Sequence, residues 1–310
     1  MQQPQPQPRS GAAPIATPFS DTRDHARFRS VVLDYFAAQQ RPVKLLSDLT
    51  LLEPGGARHS LWNLAQVCRR QPFRRWREIA KDHLDRSNPQ RLAAAVQTLA
   101  EGSYEASAER LGVRIHGEGF LDEQTRDAVV YREDLPTTIT LLVLDLGPSV
   151  VGLPRPIAER WGVPTERLFE QALRNVASQP VEVHPSPMPV EKGGGFDTLM
   201  GGHYTSSRCL CEGGLPRLGK HGNLLAVARR DALVSLPVDR LPSMDPIEAM
   251  VMFAAGLYRT GPGSISPDLF WRAPDGTFQR QRTGQTEAGF HIDMSPDFGR
   301  LVHQLLAEDG

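Results

Sequence analysis

The residues from Thr138 to Val176 constrain the fold more than any other part of this chain. Ile139 to Leu146 reads ITLLVLDL, apolar on both alternating faces except at Thr140 and Asp145. That pattern belongs to a central strand covered on both sides. A short turn leads to a second strand, and two helices are then expected, divided by Trp161-Gly162-Val163-Pro164. The first runs from Pro156 to Trp161. The second carries a stripe of Leu168, Phe169, Ala172, Leu173 and Val176 at helical spacing. The stretch contains no His, no Cys and no nucleophile beside a base, so it fixes architecture and not chemistry.

The flanks extend this into an α+β fold. Residues 1–22 are rich in Pro, Gln and Ala and are expected to be a disordered tail, because they lack the apolar surface that would offset ordering entropy. Residues 23–112 read as a mostly helical region. Phe28, Val31, Val32, Tyr35 and Phe36 lie on one helical face. Leu61, Leu64, Ala65 and Cys68 repeat the spacing with Ser60 as N-cap, and Trp76, Ile79, Ala80, His83 and Leu84 repeat it again. Leu92 to Leu99 forms a fourth helix, stopped by Gly102.

Residues 113–310 read as an α+β region, a mixed or antiparallel sheet with packed helices, interrupted by a Pro/Gly-rich loop at about 184–202. Tyr204 to Cys211 and Leu224 to Ala228 are expected strands, and Ala232 to Val238 pairs with one of them. Asp245, Pro246 and Glu248 open a helix with an N-cap, a proline at N1 and an acid at N3. Ser295-Pro296 opens the last helix.

Composition excludes some classes of function. The 310 residues are 40% hydrophobic and 23% charged, with a formal net charge of -1. A core can be buried, and no global field draws the chain to nucleic acid or anionic lipid. Three cysteines make no disulfide framework, which points to a reducing compartment. With no signal-like apolar core and no run of about 18 apolar residues, the expected location is the cytoplasm, with no membrane partner.

Candidate chemistry is sparse. Cys209 and Cys211, with His221 just beyond, are weak metal candidates: on a strand both thiols would face one side. His203 shares their parity but lies too far along a strand to join Cys209 on one ion. The spacing also misses the usual CxxC pattern. Arg69, Arg70, Arg74, Arg75 and Arg77, interleaved with Phe73 and Trp76, are the residue types that bind phosphate and stack on bases. Trp76 begins an apolar stripe, however, and acidic neighbours at Glu78, Asp82 and Asp85 can pair with the arginines, which favours a solvated helical surface or a protein-docking patch over nucleic acid. Arg229, Arg230 and Asp231 follow a buried strand, where a charged cluster can line a cleft, although a solvated turn is the commoner use of such residues. No G-x-S-x-G elbow, H-E-x-x-H, phosphate-binding P-loop or strand-linked G-x-G-x-x-G occurs. Glu133, Asp134 and Asp145 flank the central strand as possible carboxylates for acid/base work.

Several short stretches, taken in order, resemble a family. They are Leu61-Trp62-Asn63-Leu64 followed by a basic helix, Leu142-Val143-Leu144-Asp145, Trp161-Gly162-Val163 with Leu168, Ala172, Leu173 and Asn175, Leu224 to Asp231, and Ser264 to Phe270. Together they are similar to the YtpQ-like bacterial proteins, a domain of unknown function, over roughly residues 55 to 280. The 184–222 insertion and the Pro-rich N-terminus depart from that pattern. The resemblance implies a bacterial, cytoplasmic α+β protein and supplies no catalytic residues.

The sequence thus leads to a non-enzymatic accessory or regulatory factor that binds another protein and needs no cofactor. The alternatives are an enzyme or nucleotide-binding protein whose site comes from distant loops, near Arg229 to Asp231 and the Gly-rich 193–202 segment, and nucleic-acid binding through residues 69–81.

Overall fold

The computed structural model describes residues 18–19, 21–47, 49–54, 58–147, 149–186, 195–286 and 289–308. The expected tail up to residue 17 and residues 187–194 of the expected loop lie outside the described residues. The chain divides into two compact units, Met1–Leu84 and Asp85–Gly310.

The N-terminal unit begins with α1 (Thr22–Ala38), capped by the Asp21 carboxylate, which accepts from the Arg23 amide at 2.8 Å. Its predicted face, Phe28, Val31, Val32 and Phe36, is buried. Three short strands follow where helix was expected: β1 (Lys44–Ser47), β2 (Thr50–Leu52) and β3 (Arg58–Ser60), an antiparallel sheet in that order. Ser60 is therefore a strand residue, and Leu61, with no side-chain bond, occupies the N-cap of α2 (Trp62–Arg69). A 3-10 turn over Phe73–Arg75 leads into α3 (Trp76–Arg86). Trp76 packs on Phe19 and Phe28, so the core takes in Phe19 from the segment expected to be disordered. Arg41 and His59 both bind the Glu53 carboxylate and tie the sheet edge together.

The C-terminal unit contains α4 (Pro89–Glu101), α5 (Tyr104–Ser107), β4 (Leu111–Gly117), α6 (Glu123–Ala128), β5 (Tyr131–Arg132), β6 (Thr138–Asp145), β7 (Val150–Gly152), α7 (Arg155–Trp161) and α8 (Thr165–Ser178). It continues with β8 (Val181–Pro185), β9 (Asp197–Gly201), β10 (Asn223–Arg229), β11 (Ala232–Pro237), α9 (Asp245–Thr260), β12 (Leu269–Arg272), β13 (Phe278–Thr286), β14 (Gly289–Asp293) and α10 (Pro296–Glu308). β6 is the central strand of a small antiparallel sheet, with β4 on one side and the short β5 and β7 on the other. Its residues are buried through Leu144, as its unbroken apolar run requires. The α8 stripe packs on this sheet, and each fully buried Leu or Phe there contributes roughly 1.5–3 kcal/mol. Asn175 fixes the docking: its Nδ2 donates to the carbonyls of Ala108 and Leu111, both at 2.8 Å.

The second sheet is antiparallel throughout, in the order β14-β13-β12-β10-β11-β9-β8. Alternation sorts its side chains into two cores. Leu224, Ala226, Val234, Leu236, Leu269 and Trp271 face α9 and α10, while Leu225, Val227, Leu233 and Phe270 face the layer that includes Ile115 of β4. The fold is therefore α+β with packed helices. β8 and β9 occupy both ends of the segment expected to be loop.

Tyr204 to Cys211, expected as a strand, contains instead a 3-10 helix over Thr205–Leu210. Arg208 is the reason: its Nη1 donates to the carbonyls of Val176, Ala177 and Gln179 at 3.1–3.3 Å, capping the C-terminus of α8. The helix beginning at Asp245 also differs in detail. Asp245 is its first residue, Met244 takes the cap position, and the Ser243 hydroxyl accepts from the Asp245 amide.

Candidate functional site

Cross-strand register puts charged groups on one face of the β4–β6 ladder. Gly112 opposes Val143, Arg114 opposes Leu141 and His116 opposes Ile139. Asp145 lies two residues beyond Val143, so it shares the face of Gly112, Arg114 and His116. Tyr204, just before the 3-10 helix, lies across this face. A Cβ at position 112 would meet its ring at 2.7 Å, so only glycine admits it. The Tyr204 hydroxyl donates to Asp145 Oδ2 at 3.0 Å, and the Arg114 guanidinium sits 5.1 Å from the ring centre.

The β10–β11 turn supplies the other charges. Its two loop residues are Arg230 and Asp231, and the ladder shifts register between Ala226 and Arg229. The turn backbone is held from two sides: the Arg230 amide donates to the Gly263 carbonyl and the Arg230 carbonyl accepts from the Ser206 amide, both at 3.1 Å. Gly261 and Gly263 lie against the two arginines. A Cβ on Gly261 would meet Arg229 Cδ at 2.5 Å, and one on Gly263, whose φ is +76°, would meet Arg230 Nε at 2.3 Å. Arg229 Nε contacts Asp231 Oδ1 at 2.6 Å, but the N–H is misaligned, so this is an ion pair without a hydrogen bond.

The electrostatics are unusual for a protein interior. Arg114 is only 9% exposed and its Nε has no hydrogen-bond partner among the described residues. Desolvation, then the nearby Arg230 charge, lowers its pKa from 12.5 to about 10, against the pull of Tyr204 and Asp145. Desolvation also lowers the pKa of Arg230, with Asp231 opposing. His116 is buried under the ring of Phe120, stacked at 3.7 Å and 20°. Desolvation and the charges of Arg230 and Arg114 push its pKa down to about 3, so it is neutral at pH 7. His203, at the exposed rim, is shifted the same way by desolvation and the two arginines, opposed by Asp145 and Asp231. Burial raises the pKa of Tyr204, with Arg114 opposing, so it stays a phenol.

Three guanidinium groups thus stand against two carboxylates, and two neutral imidazoles lie within their field. Such an arrangement can take an anion on Arg114 and Arg230, with the imidazoles as hydrogen-bond partners.

The other sequence candidates lie elsewhere. Cys209 is wholly buried in the core between the two sheets, whereas Cys211 lies in the core under α8. Burial raises the pKa of both thiols, that of Cys211 to about 11. The His221 carbonyl accepts from Trp271 Nε1. No group of three His, Cys, Asp or Glu residues is placed to hold a metal among the described residues. Arg69, Arg70, Arg74 and Arg75 are exposed on the N-terminal unit; Arg75 pairs with Glu78 at 3.7 Å, and Phe73 is exposed beneath the Arg27 guanidinium. Arg132 binds Asp134 at 3.0 Å and lies 4.3 Å from the Phe169 ring centre, so Asp134 serves an ion pair.

Arg114 and His116 escaped the sequence reading because β4 was not recognised as a strand. The signal was present: in Leu111-Gly-Val-Arg-Ile-His the apolar residues alternate with Gly112, Arg114 and His116. No helix among the described residues is long and apolar enough to cross a membrane. Comparisons with protein-family models, with curated proteins and with solved structures found no match to the chain.

Proposed function

We propose that this chain binds a small anionic ligand between the Arg114 and Arg230 guanidinium groups. The observation that carries the reading is Arg114 itself, a nearly buried cation whose Nε lacks a partner among the described residues, beside a second desolvated arginine. Strongly perturbed groups gathered from separate elements are the usual mark of a binding or active site. The turn that carries Arg230 is fixed through its backbone, so the site is preorganised. Titration calorimetry of the full chain with inorganic phosphate tests this. Saturable binding, lost in Arg230→Gln, is expected; no binding up to millimolar phosphate refutes the proposal.

A second reading, docking of a protein partner on the N-terminal unit, is favoured by the 49% exposed ring of Phe73 in the arginine run 69–75. Its test is a partner recovered by the native protein and lost on Arg74→Glu with Arg75→Glu; recovery unaffected by these changes refutes it. The same pair of changes tests nucleic-acid binding, whose affinity would fall steeply with salt. The YtpQ-like resemblance, with a bacterial and cytoplasmic setting, belongs to the same proposal and is supported by the sequence stretches that carry it.

A further inference from the structure

We infer that the ligand of this site is a nucleoside monophosphate, its phosphate between Arg114 and Arg230 and its base stacked on the outer face of Phe120. The inference rests on the anion-binding reading above and adds the chemistry of the rest of the ligand.

Phe120 is the reason. It ends a 3-10 turn over Glu118–Phe120 and is 56% exposed, more than any large hydrophobic side chain among the described residues except Leu218 and Met252. Its inner face lies flat on His116, whose ring stands in the field of both arginines. The turn is anchored by its backbone: the Glu118 amide donates to the Thr137 carbonyl and the Glu118 carbonyl accepts from Arg126, both at 3.2 Å. A rigid aromatic face is therefore presented to solvent, its back resting on an imidazole that stands in the field of the cationic pair. A planar base satisfies that face by stacking, and a sugar supplies the spacer between base and phosphate.

Charge sets the number of phosphates. Arg229 is already neutralised by Asp231, and Asp145 opposes one of the two remaining arginines. The excess of one positive charge offsets at least half of the roughly −1.5 to −2 that a single phosphate group carries and leaves a triphosphate largely uncompensated.

The experiment is titration calorimetry of the full chain with adenosine 5′-monophosphate, ribose 5-phosphate and inorganic phosphate. The nucleotide should bind at least about tenfold more tightly than ribose 5-phosphate, the margin of one stacked base. Phe120→Leu keeps an apolar cover over His116 but removes the π face; it should erase that margin and leave ribose 5-phosphate binding unchanged. Equal affinity for the nucleotide and the sugar phosphate, or a margin that survives Phe120→Leu, overturns this inference while the anion site stands. Binding of none of the three probes overturns the anion reading as well. Tighter binding of single-stranded oligonucleotide than of the mononucleotide assigns the site to nucleic acid and also overturns the inference.

Discussion

Arg114→Met should make the ligand-free protein more stable while abolishing its response to anions. The size of the effect follows from the site. Lowering the Arg114 pKa from 12.5 to about 10 corresponds to about 3 kcal/mol of cost for holding the charged form in place. With only 9% of the residue exposed, solvent screening removes little of that cost. The substitution also forfeits the contact of the guanidinium with the Tyr204 ring, worth about 1 kcal/mol. Methionine is flexible enough to follow the aliphatic path of the arginine. The net expectation is a gain of about 2 kcal/mol, in line with other replacements of poorly compensated buried charge by apolar side chains. Hydrogen exchange of the β4 and β6 amides in graded urea reads the stability of this unit alone, and titration with phosphate reads the site. A loss of more than about 1 kcal/mol would show that Arg114 is a strut of the fold. Unimpaired phosphate binding would show that it is no ligand. Either result refutes the reasoning.

Gly263→Ala should weaken phosphate binding at least tenfold, because the residue has φ +76° and its new Cβ would displace the Arg230 guanidinium; calorimetry checks this. Gly112→Ala should destabilise the C-terminal unit by about 1–3 kcal/mol by pushing the Tyr204 ring off β4, read as a drop in the urea midpoint. In the N-terminal unit burial raises the pKa of Glu53, but its bonds to Arg41 and His59 outweigh that and hold it below 4.5. A depressed carboxylate stabilises the fold above its unfolded pKa, and that share is lost as pH falls through the folded value. Stability should therefore fall with acidification below about pH 4.5, and Glu53→Gln should flatten that limb in a pH series of unfolding curves. Cys209 and Cys211 should resist thiol reagents at pH 8 until the protein unfolds, since burial raises both pKa values.

The parts legible in the sequence were those in which one local period dominated. β6, α7 and α8 lie where the apolar run and the stripe put them, and β10 pairs with β11. Strands of three or four residues, such as β1 to β3, are too short for a period to show. The segment from Tyr204 to Cys211 has strand-forming residues, yet the bonds of Arg208 to the end of α8 outweigh that preference. Arg229, Arg230 and Asp231 could be singled out as a charged strand end. Their neighbours Arg114, His116 and Tyr204 could not, because strand register and a glycine-sized gap bring them together across distances in sequence that no local pattern spans.

The way the β10–β11 turn is held has a consequence for how this site could diversify. Both clamps on residue 230 use its amide and carbonyl, and neither uses its side chain. Position 230 is thus a socket: the fold secures the mounting, and what is mounted there is free to change. Glutamine, lysine or histidine could be exchanged at this point without disturbing the hairpin, and each would retune the charge that the site prefers. A scaffold built this way can switch ligands by single substitutions while its stability stays nearly constant.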